Sequence, residues 1–181
     1  MWQSFLLNGK VREESGFKIS FPMTSSFAFI DFDLLKTHFA SFYRINNTPA
    51  SCDFVCMGLN QDKCELIEAK RLTSYTDIQR SIERLKVKLP KKFVDTLFVL
   101  TSIVGEKEKG FLLRALWDKG IVYYLLVAEQ KTPEIIKVTE ALERKISECL
   151  KACGLKVTVF FATIKDIQKK ISRLSRSKYG G

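Results

Sequence analysis

The stretch Cys52-Asp53-Phe54-Val55-Cys56-Met57-Gly58-Leu59-Asn60-Gln61-Asp62-Lys63-Cys64-Glu65-Leu66-Ile67-Glu68-Ala69-Lys70 decides how this chain is read. Two β-like runs, 52–57 and 64–70, flank the polar segment Gly58–Lys63, which supplies a turn. If the hairpin turns symmetrically about Asn60-Gln61, residue 58 pairs with 63, and continuing outward brings Asp53 opposite Glu68. Cross-strand neighbours have Cβ atoms about 4.5–5.5 Å apart, close enough for two carboxylates to share one cation. A register slip of one residue would send Asp53 to the other face. Along the second strand, Glu68 and Lys70 point the same way, with the backbone carbonyl of Ala69 between them.

The chemistry follows from the residue types. Two carboxylates held close on a partly buried sheet repel each other unless a cation neutralises them. Hard oxygen ligands with open positions suit Mg²⁺, which keeps waters and binds phosphate oxygens. Such an ion lowers the pKa of a bound water and balances charge developing on phosphate. Lys70, on the same face, is placed to orient or deprotonate that water, or to stabilise the pentavalent phosphorus. Asp53, Glu68 and Lys70 are therefore the expected catalytic group.

Asp53, fourteen residues, and then Glu68-Ala69-Lys70 resembles the motif of the PD-(D/E)XK nuclease-like superfamily, in which an aspartate precedes (D/E)-x-K on the next strand. The apolar Leu66-Ile67 leading into the acid and the helix expected after the lysine match that context. The resemblance implies metal ligation by Asp53, Glu68 and the carbonyl of Ala69, a catalytic Lys70, and Mg²⁺ as cofactor with Mn²⁺ able to substitute. It also implies a restriction-endonuclease-like α/β fold, with a mixed central sheet flanked by helices. The implied activity is endonucleolytic hydrolysis of nucleic acid, DNA more than RNA, with branched or structured substrates as the narrower analogy with compact resolvase-like nucleases of archaea and their viruses. A homodimer suits that activity, since cutting both strands needs two sites. Gln79 resembles a glutamine that some members place near the site.

The match covers roughly residues 33–103, and it has departures. Cys52 stands where many members have proline, with Pro49 three residues earlier, and residues 34–50 contain no acid for the first helix to contribute. Glu13, Glu14, Asp31 and Asp33 are the candidates to substitute. Three alternatives stay open: a nuclease-fold protein that binds nucleic acid without cutting it, an interaction module of a larger complex, and an ordinary exposed strand end at Glu68 and Lys70.

Around the hairpin the periodicity changes repeatedly. Residues 1–30 read as one or two short strands and loops. A helix is expected over 33–44, capped by Asp31 or Asp33, with Leu35, Phe39 and Phe42 at helical spacing. Next come a helix at 76–88 opened by a Thr76/Gln79 capping box and burying Ile78, Ile82 and Leu85, a strand at 96–103, and a short helix or turn at 108–118. An apolar strand at 121–128, a helix at 133–153 started by Pro133 and ended by Gly154, a strand at 155–162 and a basic helix at 164–175 complete the pattern. Helices alternating with apolar strands argue for an α/β sheet covered on both faces, one domain over 1–175, with a frayed tail from 176 to 181.

Composition narrows the partners. The 181 residues carry a net charge of +10, which favours polyanions such as nucleic acid. Arg71, Arg80, Arg84, Lys86, Lys88, Lys91 and Lys92 follow the motif, and Lys165, Lys169, Lys170, Arg173, Arg176 and Lys178 crowd the last helix. Such groups hold phosphates without reading sequence, or form a merely solvated face. Gln79, Arg71, Arg80 and Arg84 are the expected nucleic-acid contacts. No apolar run approaches a membrane span and no secretory signal is visible, so an intracellular, cytoplasmic protein (in a host cell if viral) is expected.

Cys52, Cys56, Cys64, Cys149 and Cys153 contain no CxxC pair, and His38 is the only histidine. Buried free thiols are expected, the last two on the apolar face of their helix. His38 reads as a packing or surface residue. Trp117, Tyr123 and Tyr124 read as core, with base stacking the alternative. Triad chemistry and an ATP-binding loop lack their residues.

Overall fold

The computed structural model describes residues 2–44, 49–58, 63–70, 75–103, 114, 120–128 and 132–176; for 75–82 and a few others, only the backbone is described. After a 3-10 turn at Trp2–Phe5, β1 (Val11–Glu14) and β2 (Phe17–Ser20) form a separate antiparallel ribbon. β3 (Phe27–Asp31), α1 (Phe32–Phe42), β4 (Phe54–Gly58), β5 (Cys64–Ala69), α2 (Tyr75–Ile103), β6 (Ile121–Ala128), α3 (Pro133–Ala152), β7 (Val157–Thr163) and α4 (Ile164–Arg176) follow.

The protein is α/β, with a five-stranded mixed sheet in the order β3-β4-β5-β6-β7 flanked by helices. β3, β4 and β5 run antiparallel to their neighbours, while β5, β6 and β7 are parallel. The change of sense falls at β5, the strand that carries Glu68. β3, β4 and β5 are buried along their whole length, as expected of strands covered on both faces. On one face, Val55, Leu66, Tyr123 and Val159 pack with Leu35 of α1, Phe93 of α2 and Ile146 of α3. On the other, Phe54, Cys56 and Ile67 pack with Phe17 and Ile19 of the ribbon and Ile167 and Ile171 of α4.

Local chemistry explains the helix ends. Asp31 caps α1, its Oδ1 accepting from the Leu34 amide at 3.2 Å. Thr132 caps α3 with Pro133 in the first turn, and Gly154 just beyond α3 takes φ +76°, a left-handed conformation glycine adopts without a Cβ clash.

Three expectations are corrected. Residues 96–103 are the second half of α2, not a strand. The run Thr96-Leu97-Phe98-Val99-Leu100 has β-propensity, but the buried positions Leu85, Leu89, Phe93, Thr96, Leu97 and Leu100 recur every three or four residues. Tertiary burial of that stripe outweighs both local propensity and Pro90 inside the helix. The N-terminal segment holds three strands rather than one or two. Cys149 and Cys153 are exposed, because Cys149 lies to one side of the buried stripe Thr139, Leu142, Ile146 and Leu150, and Cys153 is the C-cap, past the last turn of α3; Cys52, Cys56 and Cys64 are buried as expected. The 108–118 segment, apart from the helical backbone of Arg114, lies outside the described residues, as do Trp117 and the side chains of Thr76, Ile78, Gln79 and Ile82. Among the described residues, no helix is long and apolar enough to cross a membrane.

Candidate metal centre

The hairpin register decides whether any site exists. β4 pairs with β5 as Phe54↔Ile67, Val55↔Leu66, Cys56↔Glu65 and Met57↔Cys64, and the Gly58 amide donates to the Lys63 carbonyl at 2.9 Å. The paired register ends at Phe54↔Ile67; beyond it the Asp53 amide also donates to the Ile67 carbonyl at 3.1 Å, and the Asp53 carboxyl lies near enough to Glu68 to be repelled by it. The expected pairing of residue 58 with residue 63 is observed, while residues 59–62 of the turn lie outside the described residues. Both acids are buried, at 6% and 4% exposure.

Asp53 ends the β4–β5 ladder with its side chain. Its carbonyl accepts from the Phe32 amide at 2.9 Å, and its Oδ2 accepts from the Ala69 amide at 2.6 Å. Glu68 Oε1 takes an ion pair from Lys92 Nζ of α2 at 2.6 Å, while Oε2 is buried without a hydrogen-bond partner. Burial, and then repulsion from Glu68, push the Asp53 carboxyl up to about 8, against the lowering effects of the Ala69 amide and Lys92. Burial also raises Glu68, although Lys92 pulls it down. Burial lowers Lys92, but Glu68 and then Asp53 outweigh it, and the net shift is upward.

Two more acids converge on Asp53. Glu14, at the end of β1, and Asp33, in the first turn of α1, each place a carboxylate oxygen within 4.8 Å of one another and of one from Asp53. They belong to the acids that could make up for the missing helix glutamate; Glu13 and Asp31 do not join. Asp31 is occupied in capping α1 and in an ion pair with Arg12 at 3.1 Å. Asp33 also pairs with Lys36. The ribbon tip delivers Glu14: Ser15 and Gly16 both take positive φ, and the Ser15 hydroxyl donates to the Ala69 carbonyl at 3.0 Å. That carbonyl, expected to be a ligand, thus already accepts one hydrogen bond from a side chain.

The other expected residues distribute unevenly. Lys70 is exposed just past β5, lines a narrow cleft with Glu68, Leu85 and Leu125, and helps pull the Glu68 carboxyl down, so it shares Glu68's face as expected. Lys92 is the amine in direct contact with the carboxylate. Arg84 is exposed on α2; Arg71 and the side chains of Gln79 and Arg80 lie outside the described residues. His38 packs against Phe5 with ring centroids 5.5 Å apart, and Tyr123 is buried core.

β5 holds a second buried acid that sequence reading passed over. Glu65 sits on the opposite face and pairs with Lys170 Nζ of α4 at 3.0 Å. Burial raises the Glu65 carboxyl despite that lysine. An acid in the middle of an apolar strand was the available signal. For Lys92 the signal was its place between Leu89 and Thr96 on one helical stripe, visible only once α2 is read as unbroken. No protein-family model, no curated protein and no solved structure matches the chain.

Proposed function

We propose that the chain is a metal-dependent endonuclease that hydrolyses phosphodiester bonds in nucleic acid, DNA in preference to RNA, on a restriction-endonuclease-like α/β fold. The observation that carries this reading is the buried, mutually repelling pair Asp53 and Glu68, with Glu14 and Asp33 beside Asp53. Lys92 on Glu68 and Lys36 on Asp33 are two cations paired against four acids. The donor set is all oxygen, and one oxygen, Glu68 Oε2, is buried without a partner, which fits a hard divalent ion such as Mg²⁺ or Mn²⁺. Asp53, Glu14 and Asp33, whose carboxylate oxygens lie within 4.8 Å of one another, are the groups that would hold it, with Glu68 and the Ala69 carbonyl, outside that cluster, as the further ligands the motif implies.

Bound there, the ion supplies a water of lowered pKa and charge balance on the phosphate. Lys92 holds one oxygen of Glu68 and so orients the other. The Ala69 amide fixes Asp53 in the same way. Lys70, exposed at the mouth of the cleft, is placed to meet the scissile phosphate or the attacking water. A symmetric dimer acting inside the cell belongs to the same proposal, because a double-strand cut needs two such sites.

The test is cleavage of plasmid and four-way-junction DNA, and of RNA, with Mg²⁺ or Mn²⁺. Wild type cleaves, while Asp53→Asn and Lys70→Ala lose most activity. Cleavage indifferent to both substitutions refutes the site. One observation favours a second reading, nucleic-acid binding without hydrolysis: Lys92 and the Ser15 hydroxyl already occupy a Glu68 oxygen and the Ala69 carbonyl. Retained DNA binding with no cleavage under any divalent ion decides for it.

A further inference from the structure

The central sheet leaves one large apolar side chain in solvent among its described residues: Phe160 of the edge strand β7, 44% exposed. The opposite edge, β3, is covered; Leu6 bridges Ile30 and the Leu7 amide donates to the Phe29 carbonyl at 2.7 Å. β7 has no such cover along Thr158 and Phe160, which alternate with buried Val157 and Val159. α4 packs on this face through Ile167 and Ile171, further along the strands.

Phe160 does not stand alone. Tyr124 of β6 lies beside it in register, and the two rings stack with centroids 5.9 Å apart and planes at 23°. Lys170 reaches back from α4, its Nζ 6.0 Å from the Tyr124 ring centre and paired with Glu65. That pairing neutralises the acid in the middle of the face. Lys63, at the start of β5, acts on the same Glu65 carboxyl and is exposed, as are Lys156 before β7 and Lys165, Lys169 and Arg173 along α4. Asp166, the acid of α4's first turn, is engaged with the Thr163 amide at 3.0 Å. An aromatic pair with Lys170 and Lys63 close by is therefore left open on the face opposite Asp53 and Glu68.

We propose that this surface binds single-stranded nucleic acid, with a base stacked on Phe160 and the backbone phosphates held by the surrounding lysines. Stacking on an aromatic ring is tolerant of sequence because every base offers a π-face, and a basic groove tracks the backbone. A protein partner is a poorer fit. The exposed part of one Phe offers about 90 Å² of apolar area, far below the ~800 Å² per partner of a standard interface. The inference needs neither a metal nor hydrolysis, so it goes beyond the endonuclease reading.

The test measures anisotropy of a labelled oligothymidine of about twelve nucleotides, in EDTA and in the Asp53→Asn background, with oligouridine, duplex DNA and heparin as competitors. Phe160→Leu keeps apolar bulk and removes the π-face; it should weaken single-strand binding by about tenfold and leave duplex and heparin binding unchanged. Phe160→Trp should retain affinity and show more fluorescence quenching on binding than the wild type, whose Trp2 and Trp117 provide the baseline. Lys63→Ala with Lys169→Ala should flatten the salt dependence. Unchanged affinity in Phe160→Leu, equal loss for all three polyanions, or no added quenching in Phe160→Trp overturns the proposal. Because cleavage is not read, failure here and failure of the metal centre are separate results.

Discussion

Replacing Asp53 with asparagine should reshape how stability depends on pH. In the folded protein the Asp53 carboxyl is pushed from 3.8 to about 8, first by burial and then by Glu68. A raised carboxyl pKa means that the native state holds a proton which the unfolded chain has released. Stability from this group is therefore fullest below the unfolded pKa and is lost as pH rises through the interval towards 8. The interval spans roughly four units, and at about 1.4 kcal/mol per unit the wild type loses up to ~6 kcal/mol across it, an upper bound because buried groups relax. Asparagine is nearly isosteric, keeps an acceptor for the Ala69 amide, and does not titrate. Urea denaturation of both proteins from pH 5 to 9 in EDTA separates the contributions, since Glu65 and Glu68 are common to both. The asparagine variant should gain on the wild type by several kcal/mol as pH rises to 8. Mg²⁺ should restore the wild type at pH 8 and act weakly on the variant. Parallel stability curves would refute the reasoning, because Asp53 would then be ionised without cost and nothing would call for a cation.

Lys92→Met should destabilise the fold by about 3–5 kcal/mol, since it leaves Glu68 buried without its ion pair; adding Glu68→Gln should recover most of the loss in thermal melts, and no recovery would mean that Lys92 acts through packing alone. Cys149 and Cys153 are exposed and Cys52, Cys56 and Cys64 buried, so a thiol reagent should label two cysteines quickly and three more only after denaturation. Mass spectrometry of the native protein reads this, and rapid labelling of Cys52 would contradict the burial on which the β4 register depends.

The sequence by itself determined the hairpin and what it presents. A two-residue period in Cys52–Met57 and Cys64–Lys70, with a polar segment between, leaves one symmetric register, and it is the register observed from Met57↔Cys64 to Phe54↔Ile67, one step short of Asp53 and Glu68. The helices α1, α3 and α4 and the strands β6 and β7 were equally legible, because their apolar periodicity and caps are local properties. Tertiary structure decided the rest. Thr96–Ile103 has the composition of a strand, yet it is helix, because burial against the sheet rewards a stripe that begins a dozen residues earlier. That continuation carries Lys92 to Glu68. Glu14 and Asp33 reach Asp53 from a separate ribbon and from a helix start, contacts between segments far apart in the chain that no spacing encodes. Local periodicity fixes which side chains share a face; only packing of one element on another fixes which faces meet.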